Sequence, residues 1–158
     1  MKRKVPVLAL CAVLFALCSS VDAQQTTKVA RIGYLDLGTA SGSAVLVDAF
    51  RQELSKLGWV EGKNFTIEYR FAEQKTERLP ELAAELVRLK VDLIVGTSTS
   101  SVLAAKTATT TIPIVMTQSA DPVGAGLVTS LARPGGNVTG LSGLAGELNT
   151  NQRYLKFF

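Results

Sequence analysis

The stretch Val91–Leu103, VDLIVGTSTSSVL, decides the fold. Val91 to Val95 is a nearly unbroken apolar run, the pattern of a strand whose sheet is covered on both faces. It passes through Gly96 directly into five hydroxyl residues, Thr97 to Ser101, after which Val102, Leu103 and Ala105 open a helix. A buried strand turning straight into a helix is half of a parallel βαβ unit. The same alternation recurs on either side. Upstream, Val29 to Leu35 reads as a strand, followed by a loop from Asp36 to Ser43 and a helix carrying Val47, Phe50, Leu54 and Leu57 on one face, stopped by Gly58. Asn64 to Arg70 alternates apolar and polar residues as an edge strand does, and Leu79, Leu82, Ala83, Leu86 and Leu89 mark a second helix with Pro80 in its first turn. Downstream, Ile112 to Met116 is a fourth strand, Asp121-Pro122 opens a fourth helical stretch to about Ala132, and Asn137 to Leu141 is a fifth strand. This alternation predicts an α/β fold, a Rossmann-like or flavodoxin-like parallel sheet with helices on both faces.

Ligands of such sheets bind outside the carboxyl ends of the strands. That rule selects three loops: Leu37 to Ser43, Thr97 to Ser101, and Thr117 to Asp121. At Thr97 to Ser101, amides of a helix start and hydroxyls converge where an anion is favoured, so a small carboxylate could be held without histidine, metal or lysine. The competing reading is that one hydroxyl caps the helix and the others are solvated. Asp121 is better placed to cap the following helix than to pair with a ligand ammonium. Gly38, Thr39, Ser41 and Ser43 serve equally well as contacts or as a flexible turn. Arg133-Pro134-Gly135-Gly136 enters a strand instead of leaving one, which is the wrong geometry for a phosphate cradle, and no P-loop or nucleophile elbow is present.

The 158 residues include no histidine and only Cys11 and Cys18, which excludes an imidazole triad and most zinc sites. The net charge of +4 is not organised into a basic patch with interleaved aromatics, so no nucleic-acid partner is expected. Much of the excess is Lys2-Arg3-Lys4, which precedes the apolar run Val5 to Cys18 and the small-residue end Val21-Asp22-Ala23. This is the layout of an export signal, too short to span a bilayer and expected to be cleaved after Ala23. Leu10 and Leu17 before the two cysteines argue against lipidation. Removing residues 1–23 leaves about 135 residues with a charge of about +2 and no cysteine. The expected location is the periplasm.

Leu57 to Asn64 (LGWVEGKN), Leu86-Val87 with Val91 to Val95, Ile112 to Val115, Asp121 to Val128 (DPVGAGLV) and Ser130 to Gly140 (SLARPGGNVTG) resemble the substrate-binding proteins of ABC transporters of the tryptophan/tyrosine uptake type. The resemblance runs from about Val29 to Leu144. It implies the first lobe of a type I periplasmic binding protein fold, a non-enzyme without a cofactor. The expected ligand is a small molecule bearing a carboxylate, such as an amino acid, and the expected partner is an ABC permease in the inner membrane. Carried over by position, the ligand contacts would be Gly38 and Thr39, Thr97, Ser98 and Thr99, and Ser119 and Asp121. The expected organisation is a signal peptide at 1–23, an N-terminal lobe at 24–145 and, at 146–158, the start of a truncated crossover to a second lobe. A ligand-sensing module for a membrane receptor, an exported enzyme on a flavodoxin-like sheet and a non-functional truncated product are the rival readings.

Overall fold

The computed structural model describes residues 29–143. The expected signal at 1–23 and the expected start of a crossover at 146–158 therefore lie outside the described residues. Five strands, β1 (Ala30–Asp36), β2 (Phe65–Phe71), β3 (Leu93–Gly96), β4 (Ile114–Met116) and β5 (Val138–Gly140), form one sheet in the order β2-β1-β3-β4-β5, and every pairing is parallel. This is the flavodoxin-like order, so the winding reverses between β1 and β3. The helices are α1 (Ala40–Lys56), α2 (Leu79–Arg88), entered through a short 3-10 turn at Thr76–Arg78, and α3 (Thr99–Ala108).

Strand alternation divides the core in two. Ile32, Tyr34 and Val95 pack with Val47 of α1 and Phe65, flanked by Phe50, Leu54, Tyr69 and Phe71. On the opposite face Leu35, Ile94, Ile114, Met116 and Val138 pack with Leu79, Leu82 and Leu86 of α2 and with Val102 and Ala105 of α3. Helices thus cover both faces, as the apolar run at Val91 to Val95 predicts. β2 is an edge strand, as β5 is at the other side, and past Phe65 its residues are only half-buried.

Local chemistry sets the helix ends. Thr39 caps α1, its Oγ1 accepting from the Gly42 amide at 3.0 Å, so the helix begins at Ala40 and takes Ser41 and Ser43 out of the predicted loop. At its other end the Gly58 amide donates to the Ser55 carbonyl at 3.0 Å and the Trp59 amide to the Leu54 carbonyl at 2.9 Å. That pair of bonds requires a left-handed residue, and Gly58 has φ +85°. Leu57, expected on the buried face, falls on this cap and is exposed. α3 starts three residues before Val102 because Ser98 and Ser101 form a capping box.

One expectation fails. The stretch from Asp121 to Ala132 is a series of turns, not a fourth helix. The Ala125 amide reaches the Asp121 carbonyl at 3.0 Å, one helical turn, but Gly126 then adopts φ +68° and the amides of Leu127 and Val128 both return to the Pro122 carbonyl. Two glycines within three residues deprive a helix of propensity. Burying Leu127 and Val128 in the core stabilises the irregular path instead.

Candidate functional site

The switch point between β1 and β3 is tied together by Thr97, whose amide and Oγ1 both donate to the Leu35 carbonyl, at 3.2 and 3.4 Å. Beside it lies a pocket of about 390 Å³, lined by Tyr34, Leu46, Thr97, Thr117, Gln118, Leu141, Ser142 and Gly143. The lining comes from the carboxyl ends of β3, β4 and β5, from Tyr34 near the end of β1 and from the second turn of α1. Its walls are apolar at Tyr34, Leu46 and Leu141 and polar at Thr97, Thr117, Gln118 and Ser142. The Ser142 Oγ is buried and has no hydrogen-bond partner among the described residues. A buried hydroxyl in that condition is costly unless something else accepts or donates to it.

The three predicted loops all follow strands at this carboxyl edge, but their residues take different parts. Thr97 lines the pocket. Ser98 spends its side chain on the capping box: its Oγ accepts from the Ser101 amide at 3.2 Å, and its own amide donates to Ser101 Oγ at 2.9 Å. Thr99 Oγ1 and Ser119 Oγ lie 3.2 Å apart, joining the loops after β3 and β4. Ser119 is 1% exposed, and its carbonyl accepts from the Gly143 amide at 2.8 Å, so it positions the loop after β5 as well. The amides of Thr99 and Ser100 open α3 and so have no carbonyl partner within the helix. Thr39 caps α1, and the Gly38 amide donates to Asp36 Oδ1 at 2.7 Å. Asp121 is exposed and accepts from the Gly124 amide at 2.8 Å, capping a single turn where a helix was expected.

Asp36 itself escaped the sequence reading. It is 7% exposed and its second oxygen accepts from Ser43 Oγ at 2.7 Å, so one buried carboxylate organises the loop and anchors the first turn of α1. Tyr34 also went unselected because it sits within a strand. It packs against Phe50, Tyr69 and Phe71 with ring centroids 5.8 to 6.3 Å apart. Burial, helped by the nearby Asp36 carboxylate, pushes its hydroxyl up to about 12. Leu141 to Gly143 could have been found by applying the strand-end rule to the fifth strand. Leu46 could not, since an exposed leucine on a helix carries no such signal. Among the described residues no group of three or more Cys, Asp or Glu side chains is arranged to hold a metal ion.

Residues 40–153 match the family model described as ABC transporter substrate binding protein. A tyrosine-binding protein of Clostridioides difficile (strain R20291) is 44% identical over 93 residues, which are 59% of this chain and 27% of that protein. Among solved structures, the ligand-free, open form of a substrate-binding protein with adhesive properties from Clostridium difficile superposes with TM-score 0.67 at 37% identity, covering 72% of this chain and 39% of that one. An ABC domain in complex with L-Trp from Streptococcus pneumonia gives TM-score 0.66 at 30% identity over 72% of this chain and 38% of that one. The chain thus spans well under half the length of each of these relatives.

Proposed function

Because this chain belongs to the ABC transporter substrate-binding protein family, we propose that it holds a free amino acid, with an aromatic or large apolar side chain, at the carboxyl edge of its sheet. The observation that carries this reading is the pocket at the switch point, apolar on one side and hydroxyl-lined on the other. The ligand carboxylate is received by Thr97 and by the Thr99 and Ser100 amides, where the start of α3 concentrates partial positive charge. Its side chain lies against Tyr34, Leu46 and Leu141, and Ser142 Oγ gains the hydrogen bond it otherwise lacks. Ser98, Ser119, Gly38 and Thr39 act by positioning these loops. Asp121 is left to its turn. The relatives named as binding tyrosine and as holding L-Trp support an aromatic amino acid.

Recognition here requires no chemistry on the ligand, so the role is binding and not catalysis. Export by residues 1–23, residence in the periplasm and delivery to an ABC permease belong to the same proposal. A thermal-shift and calorimetric screen with L-Trp, L-Tyr, the other amino acids, sugars and divalent metal ions tests it. Stabilisation by aromatic amino acids is expected. A response confined to sugars or metal ions would sink the reading.

A further inference from the structure

Acids stand at the carboxyl edge of the sheet, but among the described residues none lines the pocket. Asp36 is 7% exposed, and its two oxygens accept from the Gly38 amide and from Ser43 Oγ, both at 2.7 Å, so its charge is committed to the start of α1. Asp121 accepts from the Gly124 amide at 2.8 Å and caps its own turn. Glu73 follows β2, a strand that contributes nothing to the lining, and its amide is tied to the Gly38 carbonyl at 3.0 Å. The polar side chains that a ligand meets in the pocket, at Thr97, Thr117, Gln118 and Ser142, are all neutral.

The field at the pocket has one sign. α3 starts beside it, the amides of its first turn have no carbonyl partner within the helix, and no acidic residue stands in that turn to offset them. A carboxylate gains from this field. An α-ammonium on the adjacent carbon does not: the helix start repels it, and the pocket side chains offer it only neutral acceptors. A hydrogen bond between an ammonium and a carboxylate raises affinity by about tenfold or more, and no carboxylate lines the pocket to make one. Ser142 Oγ, buried and without a partner among the described residues, serves an α-hydroxyl as readily as an α-ammonium.

We infer that the pocket reads the carboxylate and the large apolar side chain of its ligand and is indifferent to the α-amino group, so that aromatic 2-hydroxy acids and 3-arylpropionates belong to its ligand class beside the amino acids. The inference rests on the ligand reading given above and limits it to two of the three groups by which an amino acid is recognised. Selection for an ammonium then falls to groups outside residues 29–143.

Calorimetric titration of the chain with L-Trp, indole-3-lactate, indole-3-propionate and tryptamine tests this without any variant. The two acids that lack the α-amino group are expected to bind within about fivefold of L-Trp or more tightly, and to compete with it, while tryptamine, which keeps an ammonium and lacks the carboxylate, binds at least about tenfold more weakly. A larger preference for L-Trp over both acids overturns the inference and leaves the ligand reading standing; loss of that preference in Asp36→Asn would then name Asp36 as the partner of the ammonium. Tryptamine bound as tightly as L-Trp also overturns it, because the carboxylate is then not the anchor, and so do acids that bind without competing. Binding of none of the four overturns the inference and the ligand reading together. Thr97→Val is expected to weaken L-Trp and indole-3-propionate by the same factor, since it acts on the carboxylate they share; a loss confined to L-Trp overturns the inference.

Discussion

Adding one methyl group at Gly96 tests how closely α3 is set against the sheet. A Cβ there falls 2.6 Å from Val102 Cγ2, 3.2 Å from its amide nitrogen and 3.3 Å from its Cα. Rotating the Val102 side chain relieves only the first contact; the other two are main chain, so α3 itself must move. Overpacking of a well-filled core costs about 1–3 kcal/mol, and the backbone contacts place Gly96→Ala in the upper half of that range. Val102→Ala removes a fully buried side chain and should cost about 2 kcal/mol by itself through lost burial and the cavity left behind. In the double variant the shortest contact is gone, so the two costs should fall short of adding by about 1 kcal/mol. Urea unfolding followed by circular dichroism measures all three variants. Costs that add within about 0.5 kcal/mol, or a Gly96→Ala cost below that figure, would refute the close-approach argument. The displacement should also be felt at the pocket, because the start of α3 carries Thr99, which meets Ser119 at 3.2 Å.

Replacing Ser98 by alanine removes one arm of the capping box and should cost about 1 kcal/mol in the same unfolding assay, with Ser98→Thr recovering most of it; no loss would show that the cap is idle. Ser142→Ala deletes a buried hydroxyl with no partner among the described residues, so the free chain should be as stable or slightly more so, while amino-acid affinity falls about threefold to tenfold by calorimetry. Unchanged affinity would remove Ser142 from the site. Tyr34 has a folded pKa raised to about 12, so its contribution is intact below the ordinary tyrosine value and is lost as pH climbs between the two. Stability should decline over that window by at most about 1.4 kcal/mol per pH unit, and Tyr34→Phe should flatten the decline. An alkaline limb identical in the variant would argue against burial of the Tyr34 hydroxyl.

The fold was largely legible because its signals are local. The apolar run at Val91 to Val95, the stripe Leu79–Leu82–Ala83–Leu86 and the stop at Gly58 each follow from side-chain burial or backbone freedom within a few residues. The stretch after Asp121 misled for the opposite reason: its apolar residues look helical, but Leu127 and Val128 are buried by an irregular path whose stabilisation comes from distant parts of the core. The α/β class, the alternation of strands and helices, and which loops lie at the ligand edge follow from residue pattern alone, since parallel connectivity puts those loops at one end of the sheet. The strand order, and with it the meeting of β1 and β3 at Thr97, emerges only in the folded chain. Only it showed that Ser98 and Asp121 are occupied with caps, that Asp36 organises its loop, and that Tyr34, Leu46 and Leu141 wall the pocket. Those facts depend on residues far apart in sequence, such as Tyr34 and Leu141, coming to line one pocket. A hydroxyl's or leucine's identity carries no record of which partner it will meet across such a distance.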